Sequence, residues 1–191
     1  MTDQELIEGL IRKERNAIQY LVNHYQGQMI KTAYYFLHDM QEAEDLSQEI
    51  LIDVLDALPH FKKSATLSTW IYRITVNKSL NHIKRLKRMN FIHNLTNLFG
   101  KEDPVVTVDN IMNRDTASYE KKENQRLLEN AISQLPDNQR IAFILSKYDA
   151  LPYKEIAEIM HVSISAVESL LHRAKMNLQK NLTDHFPEYQ K

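Results

Sequence analysis

The chain has 191 residues and carries 24 Lys and Arg against 25 Asp and Glu, a formal net charge of −1. It contains no Cys, which excludes disulfide frameworks, thiolate metal sites and Cys nucleophiles. Three Gly and five Pro are too few for the many tight turns of a β-sandwich or barrel. A polar, acidic N-terminus and the lack of an uncharged apolar run of about 20 residues predict a cytoplasmic protein with no direct membrane insertion.

The first third of the chain has the pattern of amphipathic helices. Apolar residues recur at spacings of three and four over residues 4–22 and again over 25–37, and each run predicts a helix that buries one stripe. Asp39 is placed to cap a further helix, which Pro59 ends.

Charge is segregated in the middle of the chain. Residues 39–61 contain seven acids and no Lys or Arg, whereas residues 62–93 contain eight bases and no acid. Five of the acids step by three or four residues and form one line on the predicted helix, here called the acidic stripe: Glu42, Asp45, Glu49, Asp53 and Asp56. Stacked like charges destabilise an isolated helix by a few tenths of a kcal/mol per pair, so the stripe predicts an interface for a basic partner.

The basic segment predicts one helix from Leu67 to about Met89. Its inward-facing residues are apolar: Leu67, Trp70, Ile71, Ile74, Leu80 and Ile83. The opposite face repeats amide and basic side chains every four residues: Arg73, Asn77, Asn81 and Arg85. Amides and guanidinium groups hydrogen-bond base edges and phosphates, so this face is a candidate nucleic-acid surface.

Loop-forming residues cluster from about Phe91 to Ser118 and mark a domain boundary. We therefore expect an N-terminal domain over 1–93, a flexible linker over 94–118 and a C-terminal domain over 119–191. Helical patterns resume in the last of these, first over 119–133 and then from Pro136 to about Tyr148.

Residues 152–178 have the pattern of a helix-turn-helix. Ala157 supplies the small residue for close helix packing, Ser163 is a candidate N-cap for the second helix, and residues 165–168 form a possible capping box. His161 occupies the turn position that often holds a left-handed Gly. The exposed residues of the second helix are expected to be polar, and most of them are short or basic: Ser165, Glu168, Ser169, His172, Arg173 and Lys175. This composition favours major-groove reading over a helix corner that only packs.

Four stretches in order give a family resemblance. Residues 43–54, 64–77 with the basic run that follows, 131–140, and the helix-turn-helix together resemble bacterial RNA polymerase sigma factors of the extracytoplasmic-function (ECF) group over almost the whole chain. The resemblance implies two small helical domains, sigma region 2 and sigma region 4, in an all-α fold. It implies a protein that is not an enzyme and needs no metal or cofactor.

The resemblance also implies partners and site residues. Region 2 binds core RNA polymerase at the clamp helices of its largest subunit, and the residues implied for this contact are Asp45, Gln48, Glu49 and Asp53. The residues expected at the −10 element of promoter DNA are Phe61, Lys63, Ser64, Arg73, Asn77, Asn81 and Arg85. The six exposed helix-turn-helix residues are expected at the −35 element. An anti-sigma factor is an expected further partner.

The same residues fit two other classes of function less well. In a stand-alone helix-turn-helix regulator the acidic stripe has no clear use. A carboxylate enzyme would use Asp45, Glu49 and Asp53 to bind a divalent metal, but ligands on one solvated stripe do not converge.

Overall fold

The computed structural model describes the backbone of residues 2–62, 65–99 and 116–183, and the side chains of residues 2–62, 65–89 and 123–182. All regular secondary structure in these ranges is helical, which confirms the predicted all-α fold. A 3-10 turn at Leu58–His60 accompanies the following helices: α1 (Asp3–Ile11), α2 (Arg15–Leu37), α3 (Met40–Ala57), α4 (Leu67–Phe99), α5 (Thr116–Ser133), α6 (Asp137–Lys147), α7 (Tyr153–Met160) and α8 (Ile164–Thr183).

The break between the first two helices lies at residues 12–14 and not between residues 22 and 25, where the pattern predicts it. The pattern predicts a helix over 4–22, whereas α1 and α2 are separated by a turn at residues 12–14. Lys13 in this turn takes the left-handed conformation, with φ 57°. Gly9 permits the close reversal, because a Cβ atom there would lie 2.8 Å from the Cβ of Ala17. Both helices bury residues in one core, so the apolar spacing continues across the turn and does not reveal it.

Helices α1 to α4 enclose the N-terminal core. Asp39 caps α3 as predicted, since its carboxylate accepts a hydrogen bond from the Glu42 N–H at 3.0 Å. The helix ends at Ala57, and Pro59 lies in the 3-10 turn that follows. The large side chains that are fully buried in this core are Leu6, Leu21, Met29, Leu46, Ile50, Leu58, Leu67 and Ile71.

Helix α4 begins at Leu67 as predicted but continues past Met89 to Phe99. The expected linker over 94–118 therefore overlaps the end of α4 and the start of α5, while residues 100–115 lie outside the described residues. The domain boundaries stay a prediction.

The C-terminal half, α5 to α8, has a small core where α5 meets α8. Its buried residues are Ala131, Ile132, Leu135, Ala174 and Leu178.

A further apolar cluster, here called the interdomain core, joins the two halves. Helices α2 and α4 contribute Phe36, Tyr72, Val76, Leu80 and Ile83. Helices α6, α7 and α8 contribute Ile141, Ile144, Leu145, Ile156, Ala157, Ile159 and Val167. The two halves therefore pack against each other instead of standing apart, and the side of α4 that carries Tyr72 and Val76 faces α7.

Candidate nucleic-acid and partner interfaces

The residues predicted to bind a polymerase lie on one side of α3. Asp45 and Gln48 are exposed, and neither makes a side-chain hydrogen bond or ion pair within the described part of the chain. Glu49 and Asp53 share one cation, Lys78 of α4, with Nζ–carboxylate distances of 3.4 and 2.7 Å. The hydrogen bond that Lys78 donates to the Asp53 carboxylate raises the pKa of Lys78 above its ordinary value. Lys78 therefore stays charged at neutral pH and fixes the position of both carboxylates.

A second contact between α3 and α4 joins Glu42 to His82, whose Nε2 lies 2.7 Å from the Glu42 carboxylate. Three of the five acids in the acidic stripe are thus paired with α4, and Asp45 and Asp56 remain exposed. These contacts with α4 partly offset the repulsion between the like charges of the acidic stripe. Asp45 and Asp56 are therefore the acids of the stripe that are left free for a partner.

The expected promoter face of α4 is exposed over two turns. Asn77, Asn81 and Arg85 follow one another at intervals of four residues, and all three are exposed. Phe61, at the start of the loop before α4, is half-buried, and its ring lies 5.0 Å from that of Trp70, which packs against the N-terminal core. Two further predicted residues of this set, Lys63 and Ser64, lie outside the described residues.

Arg73 is placed differently from the rest of that set. Its Nε and Nη2 donate to the carbonyl oxygen of Glu158 at 3.1 and 2.5 Å, at the C-terminal end of α7. Tyr72 beside it is buried in the interdomain core, and burial raises the pKa of its hydroxyl. In this arrangement the first turn of the predicted promoter face is covered by the C-terminal half.

The helix-turn-helix has the expected geometry. His161 adopts the left-handed conformation that a turn of this kind requires, with φ 55° and ψ 43°. The N–H of Val162 donates to the Ala157 carbonyl at 3.0 Å and that of His161 to Glu158, the pattern of a Schellman cap. Ser163 caps the next helix, since its Oγ accepts from the Ala166 N–H at 3.2 Å. The cap is thus Ser163 itself, and the possible capping box at 165–168 lies inside α8.

All six residues predicted for the −35 element are exposed on α8: Ser165, Glu168, Ser169, His172, Arg173 and Lys175. Three of them, Glu168, His172 and Lys175, also border an apolar groove of about 770 Å³ between α6 and α8. Phe143 and Leu171 are among the apolar residues that line this groove. The polar surface of α8 is therefore continuous with an apolar one.

The sequence pattern did not predict a polar contact between α2 and the end of α6. Its members, here called the Asp149 cluster, are Lys31, Thr32, Tyr148 and Asp149. The Asp149 side chain is 1% exposed, and its Oδ2 accepts a hydrogen bond from the Thr32 hydroxyl at 2.9 Å. Lys31 Nζ donates to the Tyr148 carbonyl at 2.6 Å and lies 3.5 Å from Asp149 Oδ1. Burial raises the pKa of Asp149.

One signal in the sequence points to this cluster. Thr32 falls on the buried stripe of α2, between Met29 and Phe36, and it is fully buried. A polar residue at an apolar position needs a hydrogen-bond partner. The partner, Asp149, is 117 residues further along the chain, so nothing local identifies it.

The described residues contain no group of three or more His, Asp or Glu side chains arranged to hold a metal ion. Among the described helices, none has the length and hydropathy that a membrane crossing would need.

The fold and these surfaces define an all-helical protein of two regions that ends in a helix-turn-helix. Two family models match it: sigma-70 region 2 over residues 21–89, and sigma-70, region 4 over residues 125–178. The chain belongs to the sigma-70 family of RNA polymerase sigma factors, in the ECF group. Sigma factors are transcription initiation factors and not enzymes.

Relatives match along nearly the whole chain. The RNA polymerase sigma-H factor of Pseudomonas aeruginosa is 31% identical over 184 residues, which cover 94% of this chain and 93% of the relative. The ECF sigma factor SigW of Bacillus subtilis is 26% identical, with 96% and 98% covered. The ECF sigma-E factor of Escherichia coli K12 is 28% identical, with 92% and 91% covered.

Two solved structures share the fold. CnrH, in complex with the cytosolic domain of CnrY, aligns with a TM-score of 0.64 at 19% identity, covering 95% of this chain and 97% of CnrH. RpoE of Bartonella quintana, in complex with the anti-sigma factor NepR, aligns with a TM-score of 0.57 at 20% identity, covering 86% and 96%.

Proposed function

We propose that this protein binds core RNA polymerase, directs it to particular promoters and helps to melt their −10 region. The observation that carries the proposal is the presence, on one chain, of an exposed acidic helix edge, an exposed amide and basic helix face, and a correctly capped helix-turn-helix. The polymerase supplies the bond-making chemistry. This chain supplies binding free energy, which offsets the unpairing and unstacking of promoter bases.

The polymerase contact is assigned to α3. Asp45 and Gln48 present a free carboxylate and a free amide to a basic helical partner, the clamp helices of the largest subunit. Glu49 and Asp53 add two carboxylates held by Lys78. Such exposed ion pairs contribute little stability, so a cationic partner can compete with Lys78 for them.

Substitution of the free pair tests the polymerase contact. We expect the double variant Asp45→Ala with Gln48→Ala to bind purified core polymerase at least about tenfold more weakly, because the central charge-assisted contacts are lost. Glu44→Ala is the matched control, since Glu44 is an exposed acid on the same helix outside the predicted set. Equal affinity of the double variant and the control would show that another surface binds the polymerase.

The −10 contact is assigned to α4 and the loop before it. Asn77, Asn81 and Arg85 can hydrogen-bond bases and phosphates, and the Phe61 ring can stack on an extruded base. Arg73 and the loop residues Lys63 and Ser64 complete the predicted set. For Arg73 to take part, its hydrogen bonds to Glu158 have to break.

The −35 contact is assigned to α8. Its first turns carry Ser165 and Ser169 toward base edges, and Arg173 and Lys175 can bind flanking phosphates. A substitution of Arg173 to Ala is expected to weaken −35 binding on all sequences and to reduce its salt dependence. Ser169→Ala is expected to change the base preference at one position.

An anti-sigma factor is a further proposed partner, and the cytoplasm, where polymerase is found, is the proposed location. Support comes from the RpoE relative, which was solved together with the anti-sigma factor NepR. Affinity purification of the tagged chain from its host is expected to yield a stoichiometric protein that blocks core binding in a purified assay. A chain that purifies without such an inhibitor would contradict this part of the proposal.

A further inference from the structure

One exposed side chain on α8 has the wrong charge for binding the DNA backbone. Glu168, the fifth residue of this helix, is exposed and makes no side-chain hydrogen bond or ion pair within the described part of the chain. Phosphate groups repel a carboxylate, so Glu168 is unsuited to the backbone contacts that position a protein on DNA. Its place on the recognition helix needs another explanation.

The folding of the helix-turn-helix does not account for this carboxylate. The N-cap of α8 is Ser163, so Glu168 does not belong to a capping box. It also lies beyond the first turn, where an acid would interact favourably with the helix dipole. His172 and Lys175, four and seven residues further on, form no ion pair with it in the described residues. Glu168 is therefore available to a partner.

The hydroxyl groups beside Glu168 present acceptors as well. Ser169 Oγ donates its hydrogen to the Ser165 carbonyl at 2.9 Å, which leaves its lone pairs for other donors. Ser163 Oγ and Ser165 Oγ lie 3.0 Å apart, so one of their hydrogens is held between them. Basic side chains begin only at His172 along this helix. The N-terminal half of α8 is thus a surface of hydrogen-bond acceptors, and its cations come later.

In the major groove, acceptors select bases that carry an exposed amino group. These bases are cytosine, through N4, and adenine, through N6. The adenine amino group lies between two acceptors, its own N7 and the O4 of the paired thymine. The cytosine amino group has an acceptor on one side alone, the O6 of the paired guanine. A carboxylate is repelled by such acceptors, so cytosine is its better partner.

We propose that Glu168 determines specificity at the −35 element by accepting a hydrogen bond from the N4 amino group of a cytosine. This inference rests on the proposed function, in which the N-terminal half of α8 reaches base edges in the major groove. Arg173 and Lys175, further along the helix, supply the phosphate contacts. On DNA without that cytosine the carboxylate loses hydration and gains no hydrogen bond, so Glu168 also weakens binding to wrong sequences.

Three substitutions of Glu168 give different expected bases at one position. Glu168→Gln should prefer adenine, through N6 and N7, and Glu168→Arg should prefer guanine, through O6 and N7. Glu168→Ala should lose a discrimination of about tenfold between cytosine and the other bases, and should bind a scrambled duplex more tightly. Glu155→Ala is the matched control, since Glu155 is an exposed acid on α7, the other helix of the helix-turn-helix.

The base preferences are measured with holoenzyme assembled from purified core polymerase and the full chain. A promoter that the wild-type holoenzyme uses is rebuilt with a randomised −35 region, and the templates that yield transcripts are sequenced for each variant. We expect cytosine at one position with the wild type and with Glu155→Ala. The same position should change to adenine and to guanine with the Gln and Arg variants, while the other positions keep their preferences.

The outcomes separate this inference from the proposed function. Identical preferences with the wild type and Glu168→Ala would overturn the inference and leave the function standing. A wild-type preference for an A·T pair at the position that Glu168→Ala relaxes would overturn it as well. A wild-type holoenzyme that starts transcription at no promoter would count against the proposed function. Selection of random duplexes by the full chain alone, with the same variants, then decides the inference.

Discussion

The N-terminal core and the contact between the two halves treat their buried polar groups differently. On α3 and α4, the buried hydroxyls of Ser47 and Thr75 donate to carbonyls of their own helix, Ser47 to Glu44 at 2.7 Å and Thr75 to Ile71 at 3.0 Å. At the interdomain contact Thr32 depends on a carboxylate from the other half. Ser47 and Thr75 therefore find their hydrogen-bond partners within their own half, whereas Thr32 keeps its partner only while the two halves are in contact. This difference is what we expect of a stable module beside a separable contact.

The largest expected effect is in the N-terminal core. Ile50→Ala removes a fully buried side chain from α3 and should lower the free energy of unfolding by about 2–5 kcal/mol. Urea denaturation, monitored by circular dichroism, measures this loss in the free energy of unfolding. Ile52→Ala is the matched control on the same helix, because Ile52 is 58% exposed and its loss should change stability by less than about 0.5 kcal/mol. Similar losses in both variants would contradict the assignment of this core.

A substitution in the interdomain core should act on the contact between the halves more than on folding. Val76→Ala removes two methyl groups from a buried position that faces α7, a loss of about 1–2 kcal/mol. We expect the energy transfer between dyes attached at Arg15→Cys on α2 and Arg126→Cys on α5 to fall while the helical circular dichroism of the protein is kept. A single cooperative loss of both signals at lower urea would show that the two halves form one inseparable unit.

The cap of the recognition helix should contribute about 1 kcal/mol. Ser163→Ala removes the Oγ that accepts from the Ala166 N–H, so the first turn of α8 is expected to fray and −35 binding to weaken. Ser163→Asp is the rescue variant, because Asp also caps helices well. Thermal unfolding and binding to a −35 duplex measure the two effects, and a neutral Ser163→Ala variant would mean that the cap is dispensable.

The left-handed turn offers a smaller test. His161 has φ 55°, a region that favours Gly, so His161→Gly should stabilise the helix-turn-helix by up to about 1 kcal/mol. His161→Val, with a branched Cβ, should instead destabilise it. Differential scanning calorimetry of the two variants gives the sign, and a destabilised Gly variant would contradict the strain argument.

The smallest expected effect is a pH dependence of the contact between the halves. Burial lowers the pKa of His38 below its ordinary value of 6.5, and Arg140 acts in the same direction while Glu129 opposes it. The neutral His38 ring is thus favoured while the halves are in contact, and its contribution to that contact is lost as the pH falls below about 6.5. We expect energy transfer between dyes on the two halves to stay level above about pH 6.5 and to decline below it, and His38→Asn to flatten the curve. A rise on acidification would contradict this sign.

Local signals in the sequence predicted local structure well. The caps at Asp39 and Ser163 and the helical spacing from Leu67 follow from nearest-neighbour chemistry, and the structure confirms them. The turn at Lys13 was missed, because the apolar spacing runs through it without Gly or Pro at the break. The wrong end predicted for α4 has a similar cause, since loop-forming residues after Phe91 do not by themselves stop a helix.

The contact between the halves could not be predicted from spacing. Arg73 was predicted to face the promoter because a charged side chain on a helix face is normally solvated, yet it hydrogen-bonds to α7, and Tyr72 beside it is buried in the interdomain core. The residues that contact them lie far along the chain, and contacts between residues so distant in sequence produce no periodic pattern. Residues predicted for the polymerase and the promoter remain predictions, with Asp45, Asn77 and Arg173 placed where solvent and partners can reach them.

The most direct test of the account is transcription by purified core RNA polymerase on a pooled library of the host's promoter DNA, with and without this protein. The account predicts discrete start sites that appear only with the protein, preceded by shared −10 and −35 sequences. These start sites should be lost with Asn77→Ala in combination with Asn81→Ala. Site-specific DNA binding by the chain alone, without core binding or new transcripts, would contradict the account and identify a stand-alone regulator.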